Sequence, residues 1–258
     1  MSGMSGQRLR RRVLPVVVAA ALGLGLTCGA APVLVGAQAA GGPQTSTFSI
    51  GTSVKGRPIT GVHRAYPGAR NRVVIIGSIH GNERAGQRVV RDLLGRSLPR
   101  DVDLWLLRTV NPDGVAADTR TNADHVDLNR NFSYHWRSLN RGTIEWSGPR
   151  ALSEPESRAL RAFILKIDPA LIVVFHQPLF AVGAQTQAKA APVVRALARG
   201  MGLPIRTLNC NSTCFGSFSS WVNHRTDGVA VTVEFGQSVS DSRIRRAART
   251  LLSVGAGL

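Results

Sequence analysis

Four stretches of this chain, residues 73 to 79, 102 to 108, 171 to 175 and 229 to 235, are rich in Val, Ile or Leu, and two of them, at 73 to 76 and 171 to 175, are unbroken apolar runs. Continuous runs of that length predict strands buried on both faces of a sheet. Helical spacing lies between or after them. Glu83 through Arg91 turns to it directly after the first run, so His80 and Glu83 fall at a strand-to-helix corner. In "SEPESRALRAFILKI" Ser153 is placed to cap, Pro155 suits a first turn and Glu156 stands three after the serine, so its acids read as structural. "SDSRIRRAARTLLSV" puts Ile244, Ala247, Ala248, Leu251 and Leu252 on one face and arginines on the other, a cover helix. "SIGTSVKGRPITGVHRA" predicts two short strands around a turn at Lys55-Gly56. This order predicts an α/β sandwich with a mostly parallel or mixed sheet.

The first residues follow another pattern. "RLRRR" at 8 to 12 precedes a long apolar stretch without charge, closed by the small-x-small triplet Ala37-Gln38-Ala39. A basic start, an apolar middle and a small-x-small end predict an export signal over residues 1 to 39. The stretch is also long enough for an uncleaved membrane anchor; Gly23, Gly25, Gly29 and Pro32 interrupt it, and the Ala-x-Ala end favours cleavage. The expected location is therefore secreted or in the cell envelope, with membrane contact only if the signal stays. Residues 40 to 47 have linker composition, and the folded domain is expected over 48 to 258.

Without the signal the chain keeps 28 basic against 15 acidic residues. Such a balance favours polyanionic surroundings or serves solubility. With 5% aromatic residues and no basic-aromatic stripe, nucleic acid is not an expected partner. Two cysteines remain, Cys210 and Cys214 in "CNSTC", and an even pair in an exported chain predicts a small disulfide loop.

The chemistry collects at strand ends. His-x-x-Glu at 80 to 83 is weak alone, but a hydrolytic zinc site needs three nitrogen or oxygen ligands and an open position. His176 follows a buried run as His80 does, and supplies the third. Between them, the polar stretch "NPDGVAADTRTNADHVDLNRNF" carries Arg120, Asn129 and Arg130, suited to a carboxylate or an oxyanion. Glu234 is a lone acid on an apolar strand, either a general base or half of a strand-end salt bridge.

"GSIHGNERAG", "NPDG", "RTNADHVDLNRNF", "SEPE", "VVFHQPL", "GSFSSW" and "VTVEFG", in that order, resemble the M14-type zinc carboxypeptidases, and most of all their murein peptide amidase branch, over residues 48 to 255. The resemblance implies a three-layer α/β/α sandwich around a mixed, mostly parallel sheet. It implies one zinc ion per chain on His80, Glu83 and His176, with Asp127 orienting a ligand histidine. Arg120 would polarise the scissile carbonyl, Asn129 and Arg130 would grip a terminal carboxylate, and Glu234 would take a proton from the attacking water and pass it to the leaving amine.

The implied substrate is a cell-wall muropeptide cut between γ-D-glutamate and diaminopimelate. A carboxypeptidase acting on L-peptides, an N-acyl amino acid deacylase and a non-catalytic wall-binding protein are the alternatives. The chain departs from the family at the loop tyrosine: its tyrosines are Tyr66 and Tyr134, and "LNCNSTCFGSFSSW" holds Ser212 near that place. His63, His125, His135 and His224 match no ligand position and read as surface or structural.

Overall fold

The computed structural model describes residues 41–185, 187–208 and 214–258. The expected export signal, Cys210 and Ser212 lie outside the described residues. Eight strands form one sheet: β1 (Gln44–Thr52), β2 (Pro58–Ala65), β3 (Asn71–Ile76), β4 (Val102–Leu107), β5 (Leu171–His176), β6 (Ala181–Gly183), β7 (Ile205–Arg206) and β8 (Val229–Glu234). Their order is β1-β2-β4-β3-β5-β8-β6-β7, and β4, β3, β5 and β8 run parallel while the flanking pairs β1-β2, β2-β4 and β6-β8 are antiparallel.

The four Val-, Ile- or Leu-rich stretches are the four parallel strands. Side chains alternate across them, so Val73 and Ile75 join one core while Val74 and Ile76 join the other. The first core is closed by helices α1 (Ala85–Leu94), α4 (Ala191–Met201) and α6 (Asp241–Ala256), and the second by α3 (Pro155–Ile167) and α5 (Phe218–Arg225). Burial on both faces explains the unbroken runs of β3 and β5, whereas β4 alternates, with Asp103 and Trp105 half-buried between buried neighbours. Among the described residues, no helix is long and apolar enough to cross a membrane.

Three expectations need correction. The stretch read as a linker to residue 47 already belongs to β1 from Gln44, paired with Ala65 of β2. Its first residues are exposed, so they carry no apolar signal while their backbone still pairs. The first buried strand ends at Ile76, and the helix after it starts at Ala85 rather than Glu83. Finally, α3 is capped by Glu154 without a side-chain bond, because Pro155 at the first helical position holds its predecessor extended. The Ser153 hydroxyl instead accepts from Asn131 Nδ2 at 2.8 Å and bonds Glu154 Oε1 at 2.6 Å. The acids of that motif are structural as expected: Asn122 Nδ2 donates to Glu154 at 2.7 Å and to Glu156 at 3.2 Å.

The polar stretch after β4 is partly helical. Asn111 caps a short helix α2 (Pro112–Ala117) by accepting from Gly114 N. Asp113 in that helix clips the β1–β2 turn, accepting from Lys55 N at 2.9 Å and Arg57 Nη1 at 2.5 Å. Burial opposes the charge on Asp113, yet the Lys55 amide and the Arg57 guanidinium hold its carboxyl below the ordinary range. Asp113→Asn is expected to cost about 2 kcal/mol at pH 7, the scale of a buried hydrogen bond to a charged group. A depressed folded-state pKa gives stability that is present above the unfolded value near 3.8 and lost as pH falls through the lower folded value. The gap between wild type and Asp113→Asn in urea unfolding therefore narrows below that pH.

Candidate metal and active site

The strand order reverses between β3 and β5: β4, the next strand in sequence, lies on one side of β3, and β5 lies on the other. Crevices at the carboxyl ends of parallel strands collect ligands at such a reversal. His80 follows β3 there, and His176 is the last residue of β5. Glu83 sits two residues ahead of α1, where Gln177 Oε1 accepts from Ala85 N at 3.0 Å and Gln177 N donates to Glu83 Oε2 at 3.2 Å. The turn between strand and helix needs glycine: a Cβ on Gly81 would stand 2.0 Å from Gly114 C.

The structure brings the three expected ligands together. His80 Nδ1 lies 2.8 Å from Glu83 Oε1, His176 Nδ1 lies 2.9 Å from Glu83 Oε2, and the two Nδ1 atoms are 3.2 Å apart. All three residues are buried, and His80, Glu83 and His176 can hold one metal ion. Two imidazole nitrogens at that separation, facing one carboxylate, form a donor set suited to a divalent cation of the zinc type. Among the described residues no other group of His, Cys, Asp or Glu has this geometry.

Asp127, fully buried, reaches His80 Nε2 at 3.0 Å through Oδ1, which leaves Nδ1 turned toward Glu83 and His176. Its Oδ2 accepts from Arg120 Nε at 3.0 Å and Nη2 at 2.9 Å, while Arg120 Nη1 donates to Glu83 Oε1 at 3.2 Å. Burial works against charge on both acids. His80 and His176 nevertheless hold the Glu83 carboxyl well below the usual range, and His80 and Arg120 do the same for Asp127. Burial would likewise lower His80, but Glu83 and Asp127 raise it above its ordinary value.

A cavity of about 420 Å³ opens on the triad. Glu234, the last residue of β8, pairs in register with His176 and lines this cavity. Burial pushes its carboxyl above the ordinary range, partly offset by His176, and Leu179 N donates to its Oε2 at 3.4 Å. It forms no salt bridge among the described residues, so the strand-end ion pair weighed from sequence is not present.

Arg120, Asn129 and Arg130 line the same cavity. Asn129 is held by its neighbours, its Oδ1 accepting from Phe218 N at 3.0 Å and its backbone N–H donating to Asp127 Oδ1 at 2.8 Å. Arg130 is 4% exposed, donates through Nη1 to Asn129 O, and has a buried Nε without a partner. Gly216, at φ +62°, lets the chain pass Arg130: a Cβ there would stand 2.3 Å from Arg130 O.

Sequence reasoning missed Glu145. Its Oε1 lies 3.9 Å from Arg130 Nη2, and neighbouring Ile144, 69% exposed, overhangs the cavity. Both sit in an irregular loop, where side-chain direction follows from no periodicity. His224, read as surface or structural, also lines the cavity and stacks on Tyr134 at 4.0 Å. Cys214 lines it too and is disulfide-bonded, with its partner outside the described residues.

Comparison with known proteins agrees with this geometry. A family model described as zinc carboxypeptidase matches residues 35–178. Murein peptide amidase A of Escherichia coli strain K12 is 31% identical over 194 residues, spanning 69% of this chain and 78% of that protein. The Vibrio campbellii protein of the same name is 31% identical over 216 residues, 77% of this chain and 82% of its own. The solved murein-tripeptide amidase MpaA from Escherichia coli O157 matches with a TM-score of 0.66 and 27% identity, over 82% of this chain and 92% of that one. Carboxypeptidase A from Helicoverpa armigera, at 18% identity and a TM-score of 0.71 over 83% of this chain and 68% of its own, shares the fold. By its matched length and its relatives, this chain belongs to the M14 zinc carboxypeptidase family of hydrolases.

Proposed function

We propose that this chain is an exported hydrolase, with one zinc ion on His80, Glu83 and His176, that cuts the amide bond between γ-D-glutamate and diaminopimelate in cell-wall peptides. The observation that carries the reading is a buried guanidinium, Arg130, with an unpartnered Nε in the same cavity as the triad and Glu234. A buried cation with a free donor calls for a carboxylate, and a scissile amide next to a free carboxylate supplies one. The rest of the cavity is polar and uncharged: Asn223 Nδ2 donates to Gln185 Oε1 at 2.7 Å and the Ser219 and Thr232 hydroxyls bond each other at 2.9 Å, a lining that suits a polar substrate side chain. A diaminopimelate side chain, which ends in an ammonium and a carboxylate, would exchange hydrogen bonds with that lining. The similarity to murein peptide amidase A, together with the signal-like first 39 residues, supports work on a wall outside the membrane.

Zinc held by the triad supplies Lewis-acid polarisation of the scissile carbonyl and of the attacking water. Asp127 fixes the His80 ring by accepting a hydrogen bond from its Nε2–H. Arg120, already bonded to Asp127 and Glu83, keeps guanidinium protons over for a developing oxyanion. Arg130 and Asn129 hold the terminal carboxylate and so place the amide. Glu234 accepts the proton of the attacking water and returns it to the departing nitrogen, a role that suits a carboxyl whose proton affinity burial has raised.

The test is incubation of zinc-loaded protein with L-Ala-γ-D-Glu-diaminopimelate and with an ordinary L-peptide, products followed by mass spectrometry. Release of diaminopimelate from the first and little from the second is expected. The reverse preference would assign the chain to general carboxypeptidase action, which Arg130 would also serve. Inactivity on both would favour the deacylase or wall-binding readings.

A further inference from the structure

Helix α6 lies between α1 and α4 on one side of the sheet, packed against both. From Ala85 to Arg96, and along α4 and α6, this layer carries nine arginines and no lysine against two aspartates. Both aspartates are taken: Asp92 by Arg96 at 2.5 Å, and Asp241 by Arg88. Arg243 lies over the Phe180 ring, 4.8 Å from its centroid, and Arg96 together with Arg246 binds the layer together. Arg96 donates to Arg245 O at 3.4 Å, and Arg246 donates to Gly200 O at 2.6 Å and Arg199 O at 3.2 Å, the exposed carbonyls at the end of α4.

Five remain. Arg91, Arg195, Arg199, Arg245 and Arg249 are all exposed, and none has a side-chain hydrogen bond or a carboxylate within ion-pair distance among the described residues. On α4 and α6 they recur at a spacing of four, so Arg195 and Arg199, and Arg245 and Arg249, stand about 6 Å apart along their axes. Neighbouring helices pack about 8–10 Å apart, which sets the guanidiniums out as a grid rather than a single stripe.

We propose that this outer face is a docking surface for a linear polyanion bearing phosphate or carboxylate groups along its length. Guanidinium matches both groups with two parallel donors, and the exclusive use of arginine over lysine suits that fork. Charge complementarity argues for a polymer over a lipid surface. A helix that settles into a membrane presents large apolar residues beside its charges, whereas Leu94 is the exposed large hydrophobic of these helices. Helices α1, α4 and α6 carry no aromatic side chain, so single-stranded nucleic acid finds no row of stacking rings along them. Docking here leaves the cavity open, since none of the five arginines lines it.

The experiment compares wild type with Arg245→Glu/Arg249→Glu and with Arg161→Glu/Lys166→Glu, a control of equal charge change on exposed positions of α3. Binding to immobilised long-chain polyphosphate is measured across a salt series, with hydrolysis of a small soluble peptide as a check on folding. The α6 variant is expected to bind at least about tenfold more weakly at low salt and to lower the salt slope by about two, one per lost phosphate contact, while the α3 control changes less than about twofold. Equal loss in both variants would overturn the proposal in favour of net charge alone. Binding to phosphatidylglycerol vesicles as tight as to polyphosphate would overturn it in favour of a lipid surface.

Discussion

Glu234→Gln is expected to lower kcat by about 10²- to 10⁴-fold, the usual scale for a general base, while zinc content stays at that of wild type. The substitution keeps the size and the Leu179 contact of the side chain, and Glu234 is not one of the three converging ligands. What it removes is the group that takes and returns a proton. Single-turnover hydrolysis and zinc analysis on the same sample check both halves of the statement. Full turnover by Glu234→Gln would assign the proton transfer to another residue of the cavity.

Removal of a ligand acts on the metal itself. His176→Ala is expected to abolish hydrolysis and to weaken zinc by more than the about 10- to 100-fold that follows loss of a partner behind a ligand. Asp127→Asn provides that intermediate step, because it disturbs the carboxylate facing His80 Nε2 and leaves all three donors. Competition with a chromophoric chelator should therefore rank zinc affinity as wild type and Glu234→Gln together, then Asp127→Asn, then His176→Ala. Retention of tight zinc by His176→Ala would remove it from the metal site.

The parts of this molecule that read clearly from sequence are those in which burial imposes a pattern. Val73–Ile76 and Leu171–Phe175 are buried on both faces, and short runs so rich in β-branched residues suit a central strand. The site residues at their ends were legible for a related reason: His80 and His176 interrupt apolar stretches that otherwise exclude polar groups. Where the surroundings are wet, the signal fades. Gln44 to Thr47 pair with β2 by backbone alone, and β7 is two exposed residues long, so neither has an apolar face to reveal it. Ser153 looked like a cap because the local motif permits one; the competing bond to Asn131, 22 residues away, is tertiary and cannot be seen in a motif. Glu145 reaches Arg130 from an irregular loop, and Gln177 supports α1 from 92 positions away, so spacing carries no trace of either contact.

The distance in sequence between His80 and His176, which meet only across the β3–β5 pairing, has a consequence for how the chain matures. Closing a loop of that length costs entropy before any contact rewards it, so this pairing belongs to the slower events of folding. Until it forms, the chain offers a cation the scattered side chains of a coil and no preassembled cage. Zinc capture by these residues would thus report a formed β3–β5 pairing, and the proposed hydrolytic centre would come into being together with the core around those strands.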